Sequence, residues 1–342
     1  MVFAYLESWL DCGFVMHTTT EPRLLAVDWG TTSLRAWLVG DGGRVLSARR
    51  RAKGLLSIAD MSPAERGAEY EAIFLDLCDD WLRAHPAIPA LACGMVGSSE
   101  GWADAGYLTV PTKLAFGPAD LTEVRHARGV LHVVPGLRVA SQSDKPGDLL
   151  RGEESQLAGA LEAVGPDHAG LTFVLPGTHT KWVRVGDGVV TSFTTAMTGE
   201  IFGLLLKHGL LARTAAPGGS DEHAFDRGLR TTAERGLTTE LFGARALVLD
   251  GLLDPASVPD YLSGVLIADE VRHELPLHGS TGDFVLCGEP QLCARYARAL
   301  RRNGAEPRIL TEDATARGLW TIAERAGLVA ADLRPTPGGI HS

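Results

Sequence analysis

The chain has 342 residues, enough for two domains of ordinary size, and its 45% hydrophobic and 22% charged content is that of a water-soluble globular protein. A formal net charge of −10 argues against nucleic acid or an anionic membrane as partner, since either needs a basic face. The five cysteines (Cys12, Cys78, Cys93, Cys287, Cys293) are odd in number and lack a CxxC pair, which gives no zinc site and no disulfide framework and points to a reducing cytoplasm.

Residues 1–21 are broken by Glu7 and Asp11 and carry no basic leader, so they read as an N-terminal extension and not as a signal peptide or a span. The first buried strand is expected over 24–27. A second follows over 34–39, with Leu34, Ala36 and Leu38 on one face and Arg35, Trp37 and Val39 on the other. Between them stand Asp28, Gly30, Thr31 and Thr32. Such a turn can offer backbone N–H groups and hydroxyls to a phosphate, with Asp28 placed to hold magnesium directly or through water. Taken alone, it also reads as a plain hairpin.

A third strand is expected over 45–57. Ser62-Pro63-Ala64-Glu65 opens a helix with a capping box, and Ile73, Leu77, Trp81 and Leu82 give its apolar stripe. A short buried strand over 89–93 runs into the glycine-rich loop 94–107, which holds Gly94, Ser98, Trp102 and Tyr107. In open α/β sheets, loops at strand ends are where ligands bind. After a strand over 130–134, Arg151-Gly152-Glu153-Glu154 opens a helix that Gly165-Pro166 stops. A domain boundary is placed there, giving domains 22–165 and 166–332 and a loose tail over 333–342.

The second half begins as the first did. A strand over 171–175 enters the turn Gly177-Thr178-His179-Thr180-Lys181, and strands over 182–185 and 189–195 leave it. This repetition suggests a structural duplication. Helices are expected over 198–209, 225–236, 241–249 and 259–270. A strand over 284–287 meets Gly288-Glu289-Pro290 and a further helix, and a strand over 307–310 and a helix over 314–326 end the pattern.

There is no GxxxxGK[ST] P-loop and no GxGxxG after a strand, so neither a Walker ATPase nor a simple dinucleotide enzyme is supported. Two Gly-Thr turns with a late strand–glycine–helix junction instead resemble the actin/hexokinase/Hsp70 superfamily. The runs AVDWGTTSLRAWLV, RGEESQLAGAL, LPGTHTKWVRV, TAMTGEIFGLL, YLSGVLIADE and CGEPQLCARYARAL, in this order between residues 24 and 327, resemble the 2-dehydro-3-deoxygalactonokinase family.

That resemblance implies a two-domain α/β actin/hexokinase-like (ribonuclease H-like) fold, with duplicated mixed sheets and an ATP cleft between the domains. It implies transfer of phosphate from ATP, with Mg²⁺, to the C6 hydroxyl of 2-dehydro-3-deoxy-D-galactonate. Gly30, Thr31 and Thr32 would form the first phosphate motif beside Asp28 as the metal residue. Gly177, Thr178, Thr180 and Lys181 would form the second, and Gly288 and Glu289 would lie at the adenosine. His179 reads better as a structural histidine, and Lys181 equally well as a solvated strand-end charge.

The helix start supplies the base that phosphoryl transfer needs, Glu153 with Glu154 as the alternative. Arg35, Gly94, Ser98, Trp102, Tyr107, Arg151 and Glu200 are candidates for binding the sugar acid. Where the family pattern has an Arg-Gln pair this chain has Ser99-Glu100, a change expected to weaken the hold on a carboxylate. The implied partner is a small sugar acid, and a homodimer is compatible with the resemblance. The competing readings are a polyphosphate or nucleotide phosphatase of the same superfamily and a non-catalytic ATP-binding regulator.

Overall fold

The computed structural model describes residues 21–58, 60–165, 170–231, 235–279, 283–310 and 314–330. The expected extension, up to residue 20, and the expected tail from 333 lie outside them. The chain opens with β1 (Leu24–Trp29), β2 (Leu34–Val39) and β3 (Val45–Arg51), then α1 (Pro63–Ala84) and β4 (Ala90–Gly94). Short strands follow: β5 (Tyr107–Thr109), β6 (Thr112–Lys113), β7 (Thr122–His126), β8 (Gly129–Val133), β9 (Gly136–Val139) and β10 (Asp148–Leu150). After α2 (Glu153–Val164) come β11 (Leu171–Leu175), β12 (Thr180–Gly186) and β13 (Val189–Ala196). The helices α3 (Thr198–Lys207), α4 (Glu222–Leu229), α5 (Leu237–Leu249) and α6 (Val258–His278) precede β14 (Asp283–Cys287). The chain then makes α7 (Pro290–Arg302), β15 (Arg308–Leu310) and α8 (Ala314–Arg325).

The two large sheets repeat one topology. The first is ordered β3-β2-β1-β4-β8-β7 and the second β6-β13-β12-β11-β14-β15. In each, three antiparallel strands joined by short turns are followed by two parallel strands. Parallel neighbours cannot be joined by a hairpin: α1 lies between β1 and β4, α3 to α6 between β11 and β14 and α7 between β14 and β15, whereas β4 reaches β8 through the short strands β5, β6 and β7. This duplicated order is that of the actin/hexokinase-like fold. A small sheet, β10-β9-β5, sits between the halves, and β6 leaves the first half to pair with β13 in the second.

Helices α2 and α8 cross where glycine faces glycine. A Cβ on Gly159 would lie 1.9 Å from the Ala314 carbonyl oxygen, and one on Gly318 would lie 1.7 Å from that of Ser155. The close crossing seats both helices in a core shared by Leu24, Ala26 and Leu91 of the first sheet, Phe173, Val183 and Val285 of the second, and Leu319 and Ile322 of α8. The carboxyl ends of β1, β4, β11 and β14 therefore open onto one cleft.

Several element boundaries differ from expectation, among them α5, which starts at Leu237 and not at 241, and β12, which runs over Thr180–Gly186 and not 182–185. The third strand stops at Arg51, because residues Leu55–Ser57 turn back in a 3₁₀ segment. In the 225–236 region α4 starts earlier, where the Asp221 carboxylate caps the His223 and Ala224 N–H groups at 3.0 Å each, and ends at Leu229. Residues 232–234 are outside the described set. Helix α6 runs on to His278 because its buried face continues through Val271 and Leu275. Among the described residues no helix is long and apolar enough to cross a membrane.

Candidate active site

Asp28 and Arg35 are directly paired across β1 and β2. Arg35 donates from Nη2 (2.6 Å) and Nε (3.1 Å) to the same oxygen, Oδ2 of Asp28. The other oxygen, Oδ1, has the Cys93 Sγ at 3.8 Å. The turn itself closes with Gly30 N–H donating to the Ser33 carbonyl at 2.8 Å. The 3₁₀ segment buttresses it from behind, through Leu55 N–H to Gly30 O (3.2 Å) and Leu56 N–H to Thr31 O (3.0 Å). This contact requires glycine at 54, where a Cβ would fall 2.4 Å from the Thr31 carbonyl.

The second turn is held by α3. A Cβ on Gly199 would lie 2.3 Å from the Gly177 carbonyl oxygen, and Glu200 N–H donates to Thr178 O at 2.9 Å. The Glu200 carboxylate pairs with His179 Nε2 at 2.5 Å, which gives that histidine a structural partner. Thr180 turns inward to the Tyr296 hydroxyl at 2.8 Å. Lys181 is almost wholly buried, with Nζ 3.7 Å from Glu153 Oε1, and is no solvated strand-end charge.

At the start of α2, adjacent side chains point about 100° apart, and the two glutamates divide accordingly. The Glu153 side chain keeps 24% of its exposure and looks into the cleft, while Glu154 is completely buried. The Arg151 N–H donates to Glu153 Oε2 at 3.0 Å, and the Gly152 N–H to Glu154 Oε2 at 2.6 Å. Burial raises the Glu153 carboxyl above its ordinary range, and nearby Lys181 opposes that rise. Burial, helped by the Glu153 charge, pushes Glu154 up to about 8. Glu154 is thus held neutral near pH 7.

The Arg151 guanidinium lies over the Tyr107 ring at 4.3 Å and donates from Nη2 to Gly106 O at 2.8 Å. Its Nε and Nη1 are buried without a hydrogen-bond partner. A Cβ on Gly97 would come within 2.9 Å of Nη1, so glycine makes room for this cation.

These groups surround a cavity of about 540 Å³ lined by Asp28, Gly30, Thr31, Arg35, Gly94, Tyr107, Arg151, Glu153, Gly177, Thr178, His179 and Lys181. A neighbouring cavity of about 550 Å³ shares Asp28, Arg35, Gln156 and Thr315 with it and reaches Gly288 and Glu289. A third, of about 370 Å³, continues from Gly177 and Thr178 past Thr198, Phe202, Ser263, Leu292, Arg295 and Tyr296 to Glu289. Glu289 caps α7, its carboxylate accepting from Gln291 and Leu292 N–H.

Several expected residues lie elsewhere. Thr32 is exposed at the turn and Thr180 is buried behind it; neither is among the cavity-lining residues. Ser98 is buried and bonds its own loop at Met95 O (2.9 Å). Trp102 stacks on Tyr70 with ring centroids 6.2 Å apart, in the core of the first half. Ser99 and Glu100 are exposed away from the cavity lining, so their departure from the family pattern does not act on the cleft described here. Sequence reasoning missed Gln156, Ser263, Arg295 and Tyr296. The usable signal was a serine–glycine pair inside the apolar run of α6, and a tyrosine one helical turn after Leu292.

The duplicated fold and its two-turn cleft define the class: an actin/hexokinase-like nucleotide-dependent phosphotransferase. The sequence pattern of the 2-keto-3-deoxy-galactonokinase family matches residues 28–322, and the chain belongs to that family of sugar-acid kinases. It is 35% identical over 317 residues to a Rhizobium meliloti (strain 1021) protein named as a 2-dehydro-3-deoxygalactonokinase, covering 90% of this chain and 98% of that one. It is also 35% identical over 307 residues to the 2-dehydro-3-deoxygalactonokinase of Escherichia coli (strain K12), covering 88% and 97% of the two chains. A crystal structure described as that of a 2-dehydro-3-deoxygalactonokinase protein from Sinorhizobium meliloti superposes with a TM-score of 0.76 at 33% identity, covering 88% of this chain and 98% of that one.

Proposed function

We propose that this chain transfers the γ-phosphoryl group of ATP to the C6 hydroxyl of 2-dehydro-3-deoxy-D-galactonate, in a reducing cytoplasm. The observation that carries this reading is the pairing of buried Lys181 with the cleft-facing Glu153 between the two Gly-Thr turns, in a family of sugar-acid kinases. Adenosine occupies the third cavity, and the phosphates run over Gly177 and Thr178 toward Gly30 and Thr31. The sugar acid lies against Tyr107 and Arg151, both of which line the cavity, and the positive charge of Arg151 suits a carboxylate.

Magnesium fits this site. It is commonly held by one or two carboxylates plus substrate phosphates and water, and among the described residues only the weak donor Cys93 Sγ, at 3.8 Å, meets the Oδ1 oxygen of Asp28. When bound there, the ion neutralises phosphate charge and helps orient the β- and γ-phosphates. Lys181 adds fixed positive charge beside the same phosphates. Glu153 orients the C6 hydroxyl and takes its proton as the oxygen attacks the γ-phosphorus. The bond from the γ-phosphorus to the bridging oxygen breaks, and ADP leaves. A homodimer is our reading of the assembly, through the exposed Phe242, Leu249 and Leu252.

The test is ADP release by purified protein with ATP and Mg²⁺. Strong release is expected only when the keto-deoxy sugar acid is added, and release indifferent to every sugar acid overturns the reading. In the same assay Arg151→Met is expected to raise the KM for the sugar acid about 30-fold, the scale of a lost charge-assisted contact, with the KM for ATP little changed. Equal rises in both KM values would remove Arg151 from substrate binding.

Glu154 supplies a prediction about stability. Its folded-state pKa of about 8 lies above its ordinary value of 4.5. Between these values the folded protein binds more protons than the unfolded chain, so the Glu154 contribution to stability falls as pH rises through that window. Glu154→Gln is therefore expected to flatten the decline of Tm from about pH 5 to about pH 8 and to leave kcat at pH 7 within about threefold. A Tm profile parallel to wild type would contradict the placement of this carboxyl.

A further inference from the structure

Behind the second phosphate turn lies a buried carboxylate that the proposed chemistry does not use. Glu270, on the apolar helix α6, is 7% exposed. Its Oε1 accepts from Trp182 Nε1 at 2.7 Å, and its Oε2 from the Tyr296 hydroxyl at 2.6 Å. Tyr296 in turn meets Thr180 Oγ1 at 2.8 Å. A phenol has one proton. Once Tyr296 gives it to the carboxylate, the Thr180 hydroxyl must donate to Tyr296, so the charge on Glu270 orders the chain Thr180 to Tyr296 to Glu270. Thr198, the first residue of α3, lines the same cavity as Tyr296 and stands near enough to favour the ionised forms of Glu270 and Tyr296.

The hub therefore grips the Gly177–Thr178 turn from both sides. On one side Thr180 begins the strand that leaves the turn. On the other, Thr198 stands beside Tyr296 at the start of α3, whose Gly199 packs on Gly177 and whose Glu200 N–H bonds to Thr178 O. Tyr296 and Thr198 also line the third cavity, while Glu270 itself does not. An apolar burial of this kind is costly for a carboxylate unless its bonds are satisfied. Burial does push its pKa up, and nearby Thr198 together with the bonds from Tyr296 and Trp182 opposes that shift.

We propose that Glu270 is a positioning residue that couples occupation of the nucleoside cavity to the geometry of the second phosphate turn. The coupling rests on the nucleotide site assigned above. It predicts that the phosphates of a bound nucleotide lose affinity when the hub is broken, while the nucleoside alone does not.

The test is direct binding to the full chain by calorimetry, with adenosine and ADP titrated separately into wild type, Glu270→Gln and Tyr296→Phe. A glutamine keeps the volume but cannot accept from both donors without turning its NH₂ toward one of them. In wild type ADP is expected to bind more tightly than adenosine. In Glu270→Gln the ADP affinity is expected to fall about tenfold and the adenosine affinity by less than about twofold, so that the ratio collapses. Tyr296→Phe removes the hydroxyl that joins Thr180 to Glu270 but leaves Trp182 bonded to the carboxylate, and is expected to shift the ratio the same way.

An unchanged ratio in both variants overturns the coupling, as does an equal loss for both ligands, which is what a merely structural residue would give. If Glu270→Gln does not fold, Tyr296→Phe alone decides on the same ratio. Failure of wild type to bind either ligand would instead overturn the nucleotide site, a result distinct from failure of the hub.

Discussion

Glu153→Gln is expected to lower kcat about 10³-fold, within the range attributed to a positioned general base, with both KM values within about threefold of wild type. The glutamine keeps the size of the side chain and can still accept from the Arg151 N–H, which in the native site reaches Glu153 Oε2 at 3.0 Å. What it loses is the ability to take a proton. The pH profile sharpens the test. A base works only when ionised, and burial holds the Glu153 carboxyl above the ordinary carboxylate range despite Lys181. Activity should therefore rise with pH through a midpoint above the ordinary value of 4.5, and the residual activity of the variant should lack that limb. A variant that keeps its kcat, or keeps the limb, would show that another group takes the proton. Comparison with Glu154→Gln adds a control, because that carboxyl is fully buried and held neutral near pH 7.

Asp28→Asn is expected to lower kcat about 10²-fold and to raise the Mg²⁺ concentration needed for half-maximal rate by about tenfold, as removal of a direct or water-bridged anionic ligand should. The same change strips Arg35 of the carboxylate oxygen that both its donors share. The two losses separate experimentally. Arg35→Lys keeps Asp28 and should leave the Mg²⁺ dependence near that of wild type. A Mg²⁺ titration curve for Asp28→Asn that overlays the wild-type curve would remove Asp28 from the metal site, whatever happens to kcat.

Much of the site was legible from residue order because its parts are local. Asp28, Gly30 and Thr31 sit in a turn whose flanking strands announce themselves by alternation, and the same grammar recurs at Gly177 and Thr178. The doubled topology followed from that recurrence. Short strands such as β5, β6 and β10 left little trace, since two or three residues carry no period, and their pairing is set by the sheets they join.

Side-chain direction was another matter. Glycine at 152, with φ of 103°, sets the entry to α2, and only the packing of that helix against α8 decides that Glu153 meets the cleft while Glu154 is buried. Trp102, in a loop that reads as ligand-facing, was drawn instead to the Tyr70 and Phe74 rings, where an aromatic side chain gains more from burial than from a polar cleft. The third cavity needed residues from α3, α6 and α7, far apart in the chain, and the Glu270 hub joins α6, α7 and β12. The sequence alone determined where the two Gly-Thr turns fall, because a turn is built from neighbours. Only the tertiary structure decided which carboxylate faces the cleft and which buried groups lie behind those turns, because burial is a property of contacts between distant segments.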